Sequence, residues 1–105
     1  MNETDHLDAD CIFCKIIRGE IPSFKVFEDD KTFAFMDINP ILPGHSLVIP
    51  KFHSVNLYET PDEWVAETAM GVRRLARAVE KTLTPAGINT LQANGPGAKQ
   101  SVFHL

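Results

Sequence analysis

The sequence predicts an α+β domain: a five-stranded antiparallel sheet, one long helix packed on it and one short helix near the start. Three observations point there. Short runs rich in β-branched and aromatic residues are separated by Asp-Asp or by Pro and Gly, the pattern of strands joined by turns. A single stretch, Val65 to Leu83, repeats its apolar residues at helical spacing. A much shorter apolar run, Cys11 to Arg18, is closed by Gly19.

Each element has its own signals. Asp10 is placed to cap Cys11-Ile-Phe-Cys-Lys-Ile-Ile-Arg18, a helix of about two turns, and Gly19 stops it. Ile21-Pro22 leads into a strand from Phe24 to Glu28, Asp29-Asp30 makes the turn, and Thr32 to Asp37 returns. Asn39 to Gly44 contains two prolines and a glycine and reads as a loop. His45 to Ile49 is a third strand, ended by Pro50. Thr60-Pro-Asp-Glu63 opens the long helix with an N-cap residue, a proline at the first position and a glutamate to complete a capping box.

Val65, Ala69, Val72, Leu75 or Ala76, Val79 and Leu83 form that helix's apolar stripe. Asp62, Glu63 and Glu67 come early and Arg73, Arg74, Arg77 and Lys81 late, complementing the helix dipole. Pro85 and Gly87 end it, and Ile88 to Ala93 and Ser101 to Leu105 are the fourth and fifth strands. Residues 1–10, polar and acidic, read as a disordered lead-in, and residues 11–105 as one domain. A strand ending at Leu105 would leave a sheet edge open, so the natural chain is expected to continue.

Composition narrows the function classes. The net charge of −4 argues against a nucleic-acid polymer as partner, since that needs clustered Lys and Arg. A mononucleotide stays open, because backbone N–H groups and hydroxyls can hold one phosphate. No apolar run approaches the ~20 residues that cross a bilayer, and the N-terminus is the opposite of a secretory signal, so a cytoplasmic location is expected.

Two motifs carry chemistry. Cys11-Ile-Phe-Cys14 is a CxxC, which alone fits a redox pair, half a zinc site or two buried thiols. A thioredoxin-like setting is absent from the residues before it. Two more ligands would close a tetrahedral site, and His53 and His104 are the first candidates, with His45 next and His6 last. The second motif is Ala93-Asn-Gly-Pro-Gly-Ala-Lys-Gln-Ser-Val-Phe-His-Leu105. Its glycines allow close backbone approach, Gln100 and Ser101 supply neutral donors, and His104 can move protons or bind metal.

From Cys11 to Leu105 the chain resembles the histidine triad (HIT) family. The likeness rests on Cys-Ile-Phe-Cys-Lys-Ile-Ile, Ile-Pro-Ser, Phe-Glu-Asp-Asp, Ala-Phe-Met-Asp-Ile-Asn-Pro, Pro-Gly-His-Ser-Leu-Val-Ile-Pro-Lys and Gln-Ser-Val-Phe-His, in order. It implies a HIT-like fold and a bacterial-type branch in which Cys11, Cys14, His53 and His104 hold one structural zinc per chain. It also implies a nucleotide site lined by Phe13, Phe35, Asp37, Ile38, Asn94, Gln100 and Ser101. Chemically these suit a nucleoside monophosphate: aromatic surface for the base, a carboxylate for two ribose hydroxyls, and neutral donors around a phosphate.

Plainer readings stand beside these. Phe13 and Phe35 also fit a core, Asp37 a turn-former, Asn94-Gly95 a hairpin turn, and Arg73, Arg74 and Arg77 a solvated helix face. The activity implied is hydrolysis or transfer at the α-phosphate of nucleoside phosphoramidates, adenylylated amines or dinucleoside polyphosphates, through a nucleotidyl-histidine. In that pattern Ser101 helps the leaving group and His104 is the first triad histidine, in supporting roles, while the nucleophile would follow Leu105. The 105 residues alone are therefore expected to bind a purine nucleotide without turnover, and to pair as a homodimer through the long-helix region. The competing expectation is a zinc-stapled module that binds nucleotide or a partner and catalyses nothing.

Overall fold

Alternation of side chains on a three-stranded sheet organises this chain, and the computed structural model describes residues 7–36, 45–98, 100 and 104. Strands β1 (Lys25–Glu28), β2 (Thr32–Met36) and β3 (Ser46–Pro50) pair antiparallel in the order β1-β2-β3. Phe33 pairs with Ile49 and Phe35 with Leu47 on one face, while Thr32 pairs with Pro50 and Ala34 with Val48 on the other. The short helix α1 (Ile12–Ile17) covers the first face. There Ile16, Phe33, Phe35 and Ile49 form the core, with Phe13, Ile17, Ile21 and Leu47 packed around them. Each such side chain contributes about 1.5–3 kcal/mol when fully buried. The long helix α2 (Asp62–Leu83) lies on the second face, with Gly71 against Val48 and Thr32.

The β1–β2 turn is held by one carboxylate. Asp29 Oδ1 accepts from Lys31 N at 2.9 Å, Thr32 N at 2.7 Å and Thr32 Oγ1 at 2.9 Å. Burial pushes the Asp29 pKa up, but these donors and Arg74 outweigh it and the carboxyl titrates below its ordinary range. Asp29→Ala is expected to lower stability by about 1 kcal/mol at pH 7. A depressed carboxyl contributes fully above its unfolded pKa, about 3.9, and loses that contribution as pH falls through the folded value. Urea unfolding of parent and variant should therefore show a gap at pH 7 that narrows toward pH 3. A constant gap would mean that the turn does not depend on the charge.

The helix ends depart from the sequence reading in instructive ways. Gly19, at φ +81°, stops α1 as expected, receiving the left-handed turn that an L side chain resists. The N-cap, however, is Cys11 and not Asp10, whose N–H instead donates to Asp8 Oδ1 at 2.7 Å. For α2 the N-cap is Pro61, and no capping box forms. The Thr60 hydroxyl has other partners: it donates to the Asn56 carbonyl at 2.8 Å and lies 2.7 Å from Ser54 Oγ. Its loop, with a 3₁₀ turn at Leu57–Glu59, is thereby closed on itself.

The buried line of α2 also differs. Trp64 and Gly71 face the sheet, while Val65, Val72, Leu75, Ala76 and Val79 are half-buried and Ala69 and Leu83 exposed. Trp64 stacks on Phe52 at 5.3 Å, and the glycine lets the helix axis approach β2 and β3. Arg73, Arg74 and Arg77 are exposed as expected, with Arg74 lying over the Phe27 ring at 4.4 Å. At the helix end Thr84 occupies the left-handed region, φ 44° and ψ 53°. A β-branched residue is strained there, so Thr84→Gly is expected to raise stability by about 0.5–1 kcal/mol. Thermal unfolding checks this; an unchanged or lower midpoint would contradict it.

The expected sheet of five strands is corrected to three among the described residues. Residues 88–93 form no strand, and Leu91 is 90% exposed. Strand preference is realised only against a neighbouring strand, and none of the described strands pairs with this segment. The expected fifth strand, 101–105, lies outside the described residues except for His104. Among the described residues no helix is long and apolar enough to cross a membrane.

Candidate functional site

Four ligand-type side chains from three parts of the chain converge beside α1. Cys11 and Cys14, three residues apart at the start of a helix, fall on one face. His53 arrives from the bend that follows β3, and His104 from 90 residues beyond Cys14. Cys11 Sγ lies 3.3 Å from His104 Nδ1, and Cys14 Sγ lies 3.5 Å from both His53 Nδ1 and His104 Nδ1. The four ligand atoms all lie within 4.8 Å of one another. A tetrahedral zinc with Zn–S of about 2.3 Å and Zn–N of about 2.0–2.1 Å places neighbouring S and N about 3.6 Å apart. The donor set therefore fits zinc in chemistry, and its three S–N separations of 3.3–3.5 Å fit it in size.

The surroundings keep the charge on these ligands low. Burial pushes the Cys14 thiol up to about 12, and the neighbouring Cys11 adds to this against the opposing pull of the Asp8 N–H and of Arg18. Burial, with His53 nearby, pushes His104 down to about 4 although its bond to Pro50 works the other way. Alone, the site holds a protonated thiol and a neutral imidazole. A dication would supply the charge that two thiolates need in this setting. His104 is also oriented as a ligand. Its Nε2 lies 3.0 Å from the Pro50 carbonyl, so Nε2–H donates there and Nδ1 presents its lone pair to the centre. The expected quartet of Cys11, Cys14, His53 and His104 is thus brought together, and both cysteines are free thiols.

The glycine-rich turn docks close by. Gly95 has φ +86°, and a 3₁₀ turn at Pro96–Ala98 follows. Gln100 Oε1 accepts from Gly95 N at 2.7 Å, and Gln100 Nε2 donates to the Val55 carbonyl. Asn94 Oδ1 accepts from Leu57 N at 2.7 Å, while Asn94 Nδ2 donates to Gln92 Oε1 at 2.6 Å. These two amides close the turn and fasten it to residues 55–57, just after His53. Phe13 is half-buried, its ring edge-on to Phe35 at 5.7 Å and to His104 at 5.9 Å. Phe35 is 5% exposed and belongs to the core. Asp37, Ile38 and Ser101 lie outside the described residues. A cleft of about 260 Å³ between the end of α1 and β1, lined by Arg18, Ile21, Lys25 and Phe33 among others, contains none of the sequence-predicted site residues.

Sequence reading missed the groups that act through the backbone or from the lead-in. The Pro50 carbonyl, the Val55 carbonyl and the Leu57 N–H have no side-chain signature. Asp8, which sits against both Cys14 and His53, is one acidic residue among several near the start.

Fold and site together define an α+β domain with a Cys₂His₂ centre that ties its first helix to a histidine near residue 105. The HIT domain family profile matches residues 18–105, and the chain belongs to the HIT family. It is 50% identical over 99 residues to the protein hit of Bacillus subtilis, covering 94% of this chain and 68% of that one. It is 46% identical over 99 residues to an adenosine 5′-monophosphoramidase of Saccharomyces cerevisiae, covering 94% and 60%. Among solved structures, a zinc-bound histidine triad family protein from Mycobacterium smegmatis superposes with a TM-score of 0.86 at 42% identity, covering 90% of this chain and 69% of that one. The chain thus spans roughly 60–70% of the length of these three relatives.

Proposed function

We propose that this chain is the nucleotide-binding body of a hydrolase or transferase that acts at the α-phosphate of nucleoside phosphoramidates, adenylylated amines or dinucleoside polyphosphates. The observation that supports this best is the 46% identity, over nearly the whole chain, to a relative named as an adenosine 5′-monophosphoramidase. In this reading a structural zinc on Cys11, Cys14, His53 and His104 fixes the segment that carries the site, beside the docked glycine turn. Phe13, backed by the buried Phe35, and Ile38 offer apolar surface to a purine, and Asp37 accepts from the ribose hydroxyls. Backbone N–H groups around Gly95 and Gly97 surround the phosphate together with Ser101. Asn94 and Gln100 hold that turn, each with one N–H of its amide engaged within the chain.

A histidine following Leu105 would attack the phosphorus, forming a nucleotidyl-histidine as the amine departs with help from Ser101, and water would then release the monophosphate. His104 has both ring nitrogens engaged, so its part is to position that segment. Reduced thiols suit a cytoplasmic setting, and the half-exposed stripe of α2, with Met70 and Leu83 at the surface, suits pairing with a second copy.

The test uses adenosine 5′-phosphoramidate, with product followed by phosphorus NMR. The 105-residue chain is expected to bind AMP without turnover. A longer chain with a histidine after Leu105 is expected to release AMP, and to lose the activity at least about a thousandfold when that histidine becomes alanine. The bonding of the Asn94 and Gln100 amides within the chain favours one other reading, a zinc-stapled binding module. A longer chain that binds AMP and never releases product from the phosphoramidate would support the module and overturn the enzyme.

A further inference from the structure

The residues before the CxxC motif form a turn that reaches the metal centre from outside the four ligands. Asp8 N donates to Cys14 Sγ at 3.4 Å. Its carboxylate Oδ2 stands 3.8 Å from His53 Nε2, the ring nitrogen opposite the one that faces the centre. The other carboxylate oxygen accepts from Asp10 N at 2.7 Å, and the Asp8 carbonyl accepts from Arg18 Nη1 at 3.4 Å. One residue therefore bonds one ligand through its N–H, faces a second from a different element at ion-pair distance, and is itself held on both sides.

We propose that Asp8 is a positioning residue of the metal centre, orienting His53 through its carboxylate and Cys14 through its own N–H. The inference rests on the metal reading of the four-residue cluster. Physically, an imidazole that binds a metal through Nδ1 carries a proton on Nε2, and a carboxylate facing that proton fixes the ring and strengthens its lone pair. An N–H aimed at a buried thiolate stabilises the charged ligand in place of solvent. His53 needs this most. It is the more exposed of the two histidines, whereas His104 is buried and already fixed by the Pro50 carbonyl. The metal centre thus begins at residue 8, and the turn over residues 8–10 belongs to it.

The test is a zinc titration against a chromophoric chelator, with zinc alone as probe. Asp8→Ala is expected to weaken zinc binding about 10–100-fold, the usual cost of removing a partner of a metal-bound histidine. Asp8→Asn, which removes the charge and keeps the size, is expected to weaken it in the same direction. Asp10→Ala removes an equal charge two residues away, from a residue whose contact is made by its backbone, and should match the parent. The cobalt-substituted Asp8→Ala protein should show shifted visible ligand-field bands, while the metal-free variants unfold at the same temperature. Asp8→Ala and Asp10→Ala binding zinc equally tightly, with superimposable cobalt spectra, would overturn the role of Asp8 alone. A parent that takes up no zinc would overturn the metal reading and this inference together.

Discussion

Cys14→Ala is expected to abolish zinc retention and to remove about 4 kcal/mol of stability when free zinc is a thousandfold above the parent's Kd. The size follows from mass action, and the centre passes it to the fold through what it connects. Cys11 and His104 are 93 residues apart in sequence, and Cys14 and His53 are 39 apart. Closing such loops through a metal restricts the unfolded chain, and binding free energy becomes folding free energy. Apart from the metal, α1 is fastened mainly by Phe13, Ile16 and Ile17 on the sheet, a small patch for a helix of six residues. A chelator should therefore lower the parent's midpoint to that of Cys14→Ala and leave the variant's unchanged. A parent indifferent to chelator would contradict the metal's structural role.

The same centre sets a pH dependence with a defined sign. The Cys14 thiol, raised to about 12 chiefly by burial, must lose its proton to bind zinc, whereas His104, lowered to about 4, is already neutral at pH 7. Affinity is expected to fall about tenfold per pH unit of acidification from Cys14 alone, and more steeply once His104 begins to protonate.

Gly71→Leu is expected to be the most damaging single substitution on the opposite face of the sheet. A Cβ at Gly71 would lie 3.1 Å from Val48 Cγ1 and 3.3 Å from Thr32 Cγ2 and Oγ1. Thr32 is 1% exposed and tied to Asp29, so it has little freedom to give way. Alanine brings only the Cβ, and its helix propensity, worth about 1 kcal/mol over glycine, offsets the crowding. Leucine adds branches that α2 can admit only by lifting from β2 and β3, at about 1–3 kcal/mol or more. Urea unfolding of the two variants separates the cases. Equal stability of Gly71→Leu and Gly71→Ala would mean that the helix does not pack where the glycine allows it to.

Much of this arrangement is legible in the residues. Gly19 stops α1 and the Asp29 turn separates β1 from β2, because each depends on a local backbone need. The CxxC alone leaves its partners open, and the HIT resemblance names His53 and His104, which the fold brings beside it. The reading fails where long-range choices decide. Periodicity picks out a stripe from Val65 to Leu83 on α2, whereas the residues buried against the sheet are Trp64 and Gly71, where the glycine allows close approach. Thr60 has the chemistry of a cap, but Asn56 and Ser54 compete for its hydroxyl. The run from Ile88 to Ala93 has strand composition and no partner among the described strands. Asn94 and Gln100 look equally apt for a phosphate and for a backbone N–H, and residue type cannot rank the two.

The most direct measurement is zinc X-ray absorption on the purified chain. The expected result is one zinc per chain with two sulfur neighbours at about 2.3 Å and two nitrogen neighbours at about 2.0–2.1 Å. A zinc-free protein, or a shell of oxygens without sulfur, would contradict the centre built from Cys11, Cys14, His53 and His104.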